Sequence, residues 1–130
     1  LREFSTWHTA QTQAGHEHLV ALTNLTSLKL GQRLPAWGQK PPPSLDDATI
    51  STLLRMTSLE TLELMEARLT GKTLARLQEL PRLAKLTIQT TDISAAEIEA
   101  LRVALPRVTI VYRPLSEEDR TNTLVKKLAL

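Results

Sequence analysis

Three histidines, His8, His16 and His18, lie close together near the start of the chain. Imidazole is the commonest protein ligand of zinc, so this grouping raises a metal site as a hypothesis. His16 and His18 are two residues apart, however, and side chains with that spacing point away from each other on a helix. The chain has no cysteine, and only Glu17 stands nearby to complete a coordination shell. We therefore expect no metal site, and we place His16 at an inward-facing position.

Two pairs of adjacent carboxylates, Asp46-Asp47 and Glu117-Glu118, raise acid–base catalysis as a second hypothesis. Both pairs fall where a helix is expected to begin, and a helix N-terminus favours negative charge without any catalytic role. The sequence contains no GxSxG, GxxxxGK[ST], HExxH or GxGxxG motif, and its four glycines are few for a phosphate-binding loop. We therefore expect a protein that is not an enzyme and that uses no cofactor.

Composition limits the remaining possibilities. A chain of 130 residues suits one domain, and its hydrophobic content of 42% with only 3% aromatic residues predicts an aliphatic core. The formal charge of +2 is too small to argue for nucleic acid, and no apolar run approaches the roughly 18 residues that span a membrane. The chain begins at Leu1 without a signal peptide, which, together with the repeat phase, suggests a fragment of a longer protein.

A leucine pattern recurs at a fixed spacing along the chain. Residues 59–64 read L-x-x-L-x-L, and residues 83–88 repeat this phrase, so that Leu62 and Leu86 are 24 residues apart. The same phrase occurs earlier at residues 25–30, and residues 108–110 close the series. Residues 1–6 carry a degenerate form of it, in which Phe4 occupies the position that Leu28 has in the next repeat. Alternating apolar residues predict strands, and the constant spacing predicts that the strands align in register.

Short helices are predicted between the strands. Apolar residues recur there at spacings of three and five, which marks one face of a helix. N-cap residues open the segments at Asp46, Thr70 and Ser94, and Ser94 with Glu97 forms a capping box. We predict a single domain of strand–turn–helix units, with a degenerate repeat over residues 1–22, a proline-rich inserted loop over residues 31–44, and a C-terminal capping helix over residues 115–130.

The repeat resembles that of bacterial leucine-rich-repeat proteins, whose unit reads roughly L-x-x-L-x-L-x-x-T-x-I-T-D-x-G-L-x-x-L. Residues 90–94 and 67–70 carry this pattern, and the resemblance covers about residues 1–112. It implies an α/β right-handed solenoid with a parallel β-sheet on the concave face and helices on the convex face, used as a protein-interaction platform. One departure is that Ala67 and Thr91 stand where many such repeats have asparagine. A threonine hydroxyl could partly satisfy the backbone groups there, whereas alanine cannot.

The positions between the leucines are predicted to line the concave sheet in three rows. These rows are Glu3, Ser27, Thr61, Lys85, Arg107; Ser5, Lys29, Glu63, Thr87, Thr109; and Trp7, Gly31, Met65, Gln89, Val111. The apolar members of the third row are typical of interface anchors, and the alternative is that terminal segments cover Trp7 and Val111. Trp37 either anchors a partner or pins its own loop. The candidate partner-binding residues are Trp7, Lys29, Trp37, Glu63, Met65, Lys85, Gln89 and Arg107.

These patterns lead to one expected function and one alternative. We expect a monomeric, non-catalytic module that binds a protein partner through the concave sheet and the 31–44 loop, without nucleic acid or membrane insertion. The alternative is a structural spacer that positions neighbouring domains and has no ligand of its own. The sequence specifies neither the partner nor the compartment.

Overall fold

The structure is a computed structural model that describes residues 1–9, 12–32, 45–91 and 93–114. Strands and helices alternate through these ranges. The strands are β1 (Glu3–Thr9), β2 (Ser27–Gln32), β3 (Thr61–Ala67), β4 (Lys85–Thr91) and β5 (Thr109–Arg113). The helices are α1 (Gln13–Leu19), α2 (Asp47–Leu53), α3 (Gly71–Leu74), which continues as a 3₁₀ helix over Ala75–Glu79, and α4 (Ala95–Ala104). The predicted C-terminal helix over residues 115–130 lies outside the described residues.

The strands within the described ranges form a five-stranded, all-parallel sheet whose order, β1-β2-β3-β4-β5, follows the chain. The predicted α/β class with a parallel sheet is therefore confirmed. The predicted register is confirmed for the first four strands, in which the apolar residues Phe4, Leu28, Leu62 and Leu86 align. On β5 the residue that aligns with them is Ile110.

The core is aliphatic and lies on one side of this sheet. Leu28, Leu30, Leu62, Leu64 and Leu86 alternate along their strands, and all of them are buried. Crossovers between parallel strands as a rule share one hand, and crossovers of one hand place their connecting helices on a common side of the sheet. The apolar helix residues pack into the same cluster, among them Ile50, Leu53, Leu74, Leu77, Ile98 and Leu101. Helices and sheet thus cover each other on one face only.

The inserted loop begins later than predicted. Gly31 and Gln32 belong to β2, and Gly31 pairs with Met65 on β3. Glycine has the same backbone N–H and C=O groups as other residues, so the hydrogen-bonded ladder continues through Gly31 and Gln32. The rest of the predicted loop, including Trp37, lies outside the described residues.

The predicted N-caps are confirmed, and they connect neighbouring helices. Asp46 caps α2, Thr70 caps α3, and Ser94 forms the predicted capping box with Glu97 on α4. Asp47, the second carboxylate of its pair, accepts hydrogen bonds of 3.0 Å from both the backbone N–H and the hydroxyl of Thr70. The Asp46-Asp47 pair therefore serves two helix starts, which explains it without catalysis.

Glu97 acts in a similar way between α4 and α3. Its Oε2 accepts a 2.9 Å bond from the Ser94 backbone N–H, and its Oε1 accepts a longer, 3.5 Å bond from that of Gly71. The backbone bond from Ser94 holds the pKa of this carboxyl below its usual range, against a smaller opposing effect of burial.

The turn after each central strand carries a repeated backbone feature. Glu66 and Thr90 occupy equivalent positions, and both are in the left-handed region with φ of 54° and 53°. The next residues, Ala67 and Thr91, pair across the sheet and are buried. The Thr91 hydroxyl has no hydrogen-bond partner in the described part of the chain. The expectation that it satisfies backbone groups is therefore wrong, because it lies beside the methyl group of Ala67.

Candidate interaction surface

The face of the sheet opposite the helices is the best candidate for a functional surface. We define this open face by Ser27, Lys29, Thr61, Glu63, Met65, Lys85 and Gln89, all of which are half-buried or exposed. None of the helices in the described ranges packs against these side chains, because the crossovers place the helices on the opposite side. The sheet register brings five of the predicted binding residues to this one surface.

The centre of the open face holds a linked group of polar side chains. Lys29 Nζ lies 3.4 Å from Glu63 Oε1, and Gln89 Nε2 donates a 2.6 Å hydrogen bond to the same oxygen. The side chains of Lys29 and Glu63 are 36% and 25% exposed. Ion pairs at this exposure are worth roughly 0–1 kcal/mol, so a partner that offers its own charges can replace them.

Met65 and Lys85 lie on neighbouring strands of this surface, Met65 on β3 and Lys85 at the start of β4. Met65 is half-buried on the middle strand, with Gly31 opposite it on β2 and Gln89 opposite it on β4. Because Gly31 has no side chain, no side chain stands beside Met65 at the paired position on β2. Lys85 is exposed and forms no ion pair with any described residue. The open face thus presents a flexible apolar side chain at one end of β3 and β4 and an unneutralised cation at the other end.

The predicted rows are wrong at the fifth strand, and Arg107 does not belong to the open face. Arg107 lies in the turn between α4 and β5 and is exposed. The apolar residue that aligns with Leu86 is Ile110 rather than Val108, so each fifth member of a row lies two residues later than predicted. The corrected fifth members are Thr109, Val111 and Arg113. The spacing of 24 residues from Leu86 to Ile110 was the signal that gives this register.

The two tryptophans remain predictions as binding residues. Trp7 belongs to β1, but the regular pairing of β1 with β2 ends at Thr6 and resumes, after a register shift, at Thr9. The structure therefore does not align Trp7 with Gly31 in the predicted third row. Trp37 lies outside the described residues.

His16 lies in a buried polar cluster between α1 and α2. It is 3% exposed, and its Nδ1 is 3.3 Å from both Gln13 Oε1 and Thr49 Oγ1. His18 is exposed, which confirms that the two side chains diverge. The described residues contain no group of three side chains able to hold a metal ion. Burial lowers the pKa of His16, and the opposing attraction of Asp46 is smaller.

The N-cap of α1, Thr12, was not predicted from the sequence. Thr12 accepts a hydrogen bond from the backbone N–H of Gly15, and Gln13 Nε2 reaches across to donate to Asp46 Oδ1 at 3.0 Å. Thr12 precedes Asp46 by the same 34 residues that separate Leu28 from Leu62, so the spacing could have identified it. These contacts tie the first helix to the second.

The burial of His16 predicts a pH-dependent stability. The folded state disfavours the protonated imidazole, so the stabilisation is complete above the unfolded pKa of about 6.5 and is lost as the pH falls through the lower folded pKa. We expect the melting temperature to fall between pH 7.5 and pH 5, and His16→Gln to remove part of that slope. Thermal unfolding followed by circular dichroism over this pH range measures it. Asp46 is the charged group that acts on His16, and Glu17, the residue next to His16 in the chain, forms an ion pair with Arg55.

His18→Gln provides the control for this measurement, because His18 lies on the same helix but is exposed. It should leave the pH slope unchanged. Equal slopes in the wild type and in His16→Gln would contradict the assignment.

Comparison with known proteins adds no relative. No protein-family model matches the sequence, and no curated protein matches it significantly. Among the described residues, no helix combines the length and apolar character needed to cross a membrane.

Proposed function

We propose that this chain is a leucine-rich-repeat solenoid that acts as a non-catalytic protein-binding module, with the open face as its interaction surface. Five strands in chain order and in one register support the repeat assignment, since Leu62, Leu86 and Ile110 align at the 24-residue spacing of the leucine pattern. The proposal needs no cofactor, no metal and no nucleic acid, and it treats the chain as a monomer.

The observation that carries the functional proposal is the composition of the open face at its centre. Met65 offers polarisable apolar surface that adapts to different partners, and Lys85, opposite Thr61 at the other end of the same strand pair, offers an unneutralised charge. Residues with few partners inside the chain are those that gain most from a partner outside it. Aromatic residues, Met and Arg are enriched at interfaces, which is why Met65 ranks first here.

The size of the open face indicates that it does not act alone. The open face covers three strands, β2, β3 and β4, about 4.8 Å apart, and five residues of about 3.3 Å along each, which gives a patch of roughly 240 Å². A standard interface buries about 800 Å² on each partner. The proposed interface therefore extends beyond the sheet, and we include in it the segment over residues 33–44, which contains Trp37.

The test begins with capture of partners from a native lysate by the intact protein, followed by affinity measurement with the purified partner. We expect Met65→Ala to weaken binding by about 1–3 kcal/mol, because binding energy concentrates in a few side chains. The protein should stay folded, since Met65 is only half-buried.

Arg76→Ala and Glu99→Ala are the matched controls, because both side chains are exposed on the helix side of the molecule. They should leave affinity unchanged. Loss of binding in these variants, with Met65→Ala silent, would move the interface to the helices.

The spacer alternative is favoured by the internal bonding of the open face. Lys29, Glu63 and Gln89 satisfy one another, as they would on a surface that binds nothing. If the chain is a spacer, no partner should be captured reproducibly, because function would depend only on the neighbouring domains that the chain positions. The capture experiment separates the two.

A further inference from the structure

A second surface feature lies at the edge of the sheet where the strands begin. A cavity of about 360 Å³ opens there between successive strand-start turns, and we call it the strand-start cavity. Polar side chains dominate its lining: Arg2, Thr23, Asn24, Thr26, Ser58 and Arg82. It is distinct from the open face, with which it shares no residue.

The lining carries positive charge without a compensating acid. Arg2 and Arg82 both reach this cavity, and neither forms an ion pair with any described residue. No carboxylate is among the described lining residues. Glu3 and Glu60, which are exposed near the starts of β1 and β3, are not among the lining residues. Two guanidinium groups that share one cavity repel each other, and an anion between them removes that repulsion.

The walls of the cavity are held by hydrogen bonds to backbone carbonyls. Arg2 O accepts bonds from the backbone N–H groups of Thr26 and Ser27, at 2.8 and 3.1 Å. The Thr26 hydroxyl donates to the same carbonyl at 3.3 Å, and the Ser58 hydroxyl donates to Leu25 O at 2.6 Å. These two hydroxyls therefore fix the turns, and the guanidinium groups supply the donors for a ligand.

We propose that the strand-start cavity binds a phosphate-type oxyanion between Arg2 and Arg82. A guanidinium presents its N–H donors in a planar fork that matches the oxygens of a phosphate group, and such charge-assisted bonds are about twice as strong as neutral ones. The Thr23 hydroxyl and the Asn24 amide, which border the same space, add uncharged donors.

The test is a titration with inorganic phosphate near pH 7.5, at ionic strength held constant with sodium chloride. The side-chain Nε–H signals of Arg2 and Arg82 report binding by nuclear magnetic resonance. We expect saturable shifts of both signals and about tenfold or greater weakening by Arg82→Gln, with an unchanged melting temperature because the side chain is exposed. Arg2→Gln should weaken binding to a similar degree, and Arg82→Lys should recover only part of the affinity.

Arg107→Gln is the matched control. Leu105-Pro106-Arg107 repeats the turn sequence Leu80-Pro81-Arg82, and Arg107 is exposed in the same way but lies outside the cavity. It should leave phosphate binding unchanged. Shifts that grow linearly without saturation would overturn the proposed site, and so would equal weakening by Arg107→Gln and Arg82→Gln. Either result would mean that phosphate only screens the charge of the protein.

A second titration identifies the source of the phosphate group. Phosphoserine with blocked termini presents the same group as a monoester on a protein side chain. Tighter binding of this compound assigns the cavity to a phosphorylated segment, and tighter binding of inorganic phosphate assigns it to the free ion. Failure of both titrations refutes the site and leaves the proposed protein-binding face untouched, because the two surfaces share no residue.

Discussion

Leu62→Asp is expected to abolish the cooperative fold. Leu62 has no exposed surface, and its register neighbours on both sides are the equally buried Leu28 and Leu86. A carboxylate at this position has only aliphatic neighbours, so it must either stay charged without a partner or take up a proton. The cost is several kcal/mol, which is comparable with the roughly 5–15 kcal/mol that stabilise a domain. Circular dichroism and thermal melting should show a chain without a cooperative transition.

Thr61→Asp is the control for this substitution, because it introduces the same charge one residue earlier on the open face. Thr61 is half-buried, and its partner in the register is the exposed Lys85. A carboxylate at this position would face the ammonium group of Lys85 on the adjacent strand, so it should leave stability unchanged or raise it by about 0.2–1 kcal/mol. If Leu62→Asp instead melts like the wild type, the assignment of the two sheet faces is wrong.

The sheet was predictable because the same leucine pattern recurs in successive strands. Leu28, Leu62 and Leu86 sit in identical phrases, so each unit confirms the register of the next, and a burial pattern of period two fixes which face is apolar. Cap residues were predictable for a related reason. Asp46 and Ser94 precede apolar helical spacing directly, and their side chains act within three residues of their own position.

Features that depend on contacts between units were harder to predict. The Lys29–Glu63–Gln89 group needs both the register and the reach of three long side chains, and no local pattern encodes it. The left-handed conformation of Glu66 and Thr90 also has no sequence signal, because neither residue is a glycine or asparagine. Arg107 was misplaced because Val108 and Ile110 are both β-branched and equally suited to a strand.

The third helix shows how tertiary packing replaces intrinsic helical preference. Only Gly71–Leu74 is α-helical, and the segment then tightens into a 3₁₀ helix over Ala75–Glu79. Nucleation makes a helix this short unstable on its own, so contacts with the rest of the molecule must hold it in place. Those contacts come from its cap at one end, where Thr70 is bound by Asp47, and from the fully buried Leu74 and Leu77 at the other.

Leu74→Ala is therefore expected to destabilise the protein by about 2–5 kcal/mol, the range for truncating a buried leucine and leaving a cavity. Leu74 has no exposed surface, and the backbone around it has little helical stability with which to resist rearrangement. Urea denaturation followed by circular dichroism measures the loss. Val103→Ala on α4 is the control, because that side chain is 81% exposed and should change stability by no more than about 0.5 kcal/mol. Similar small effects for both substitutions would mean that Leu74 does not hold the third helix against the core.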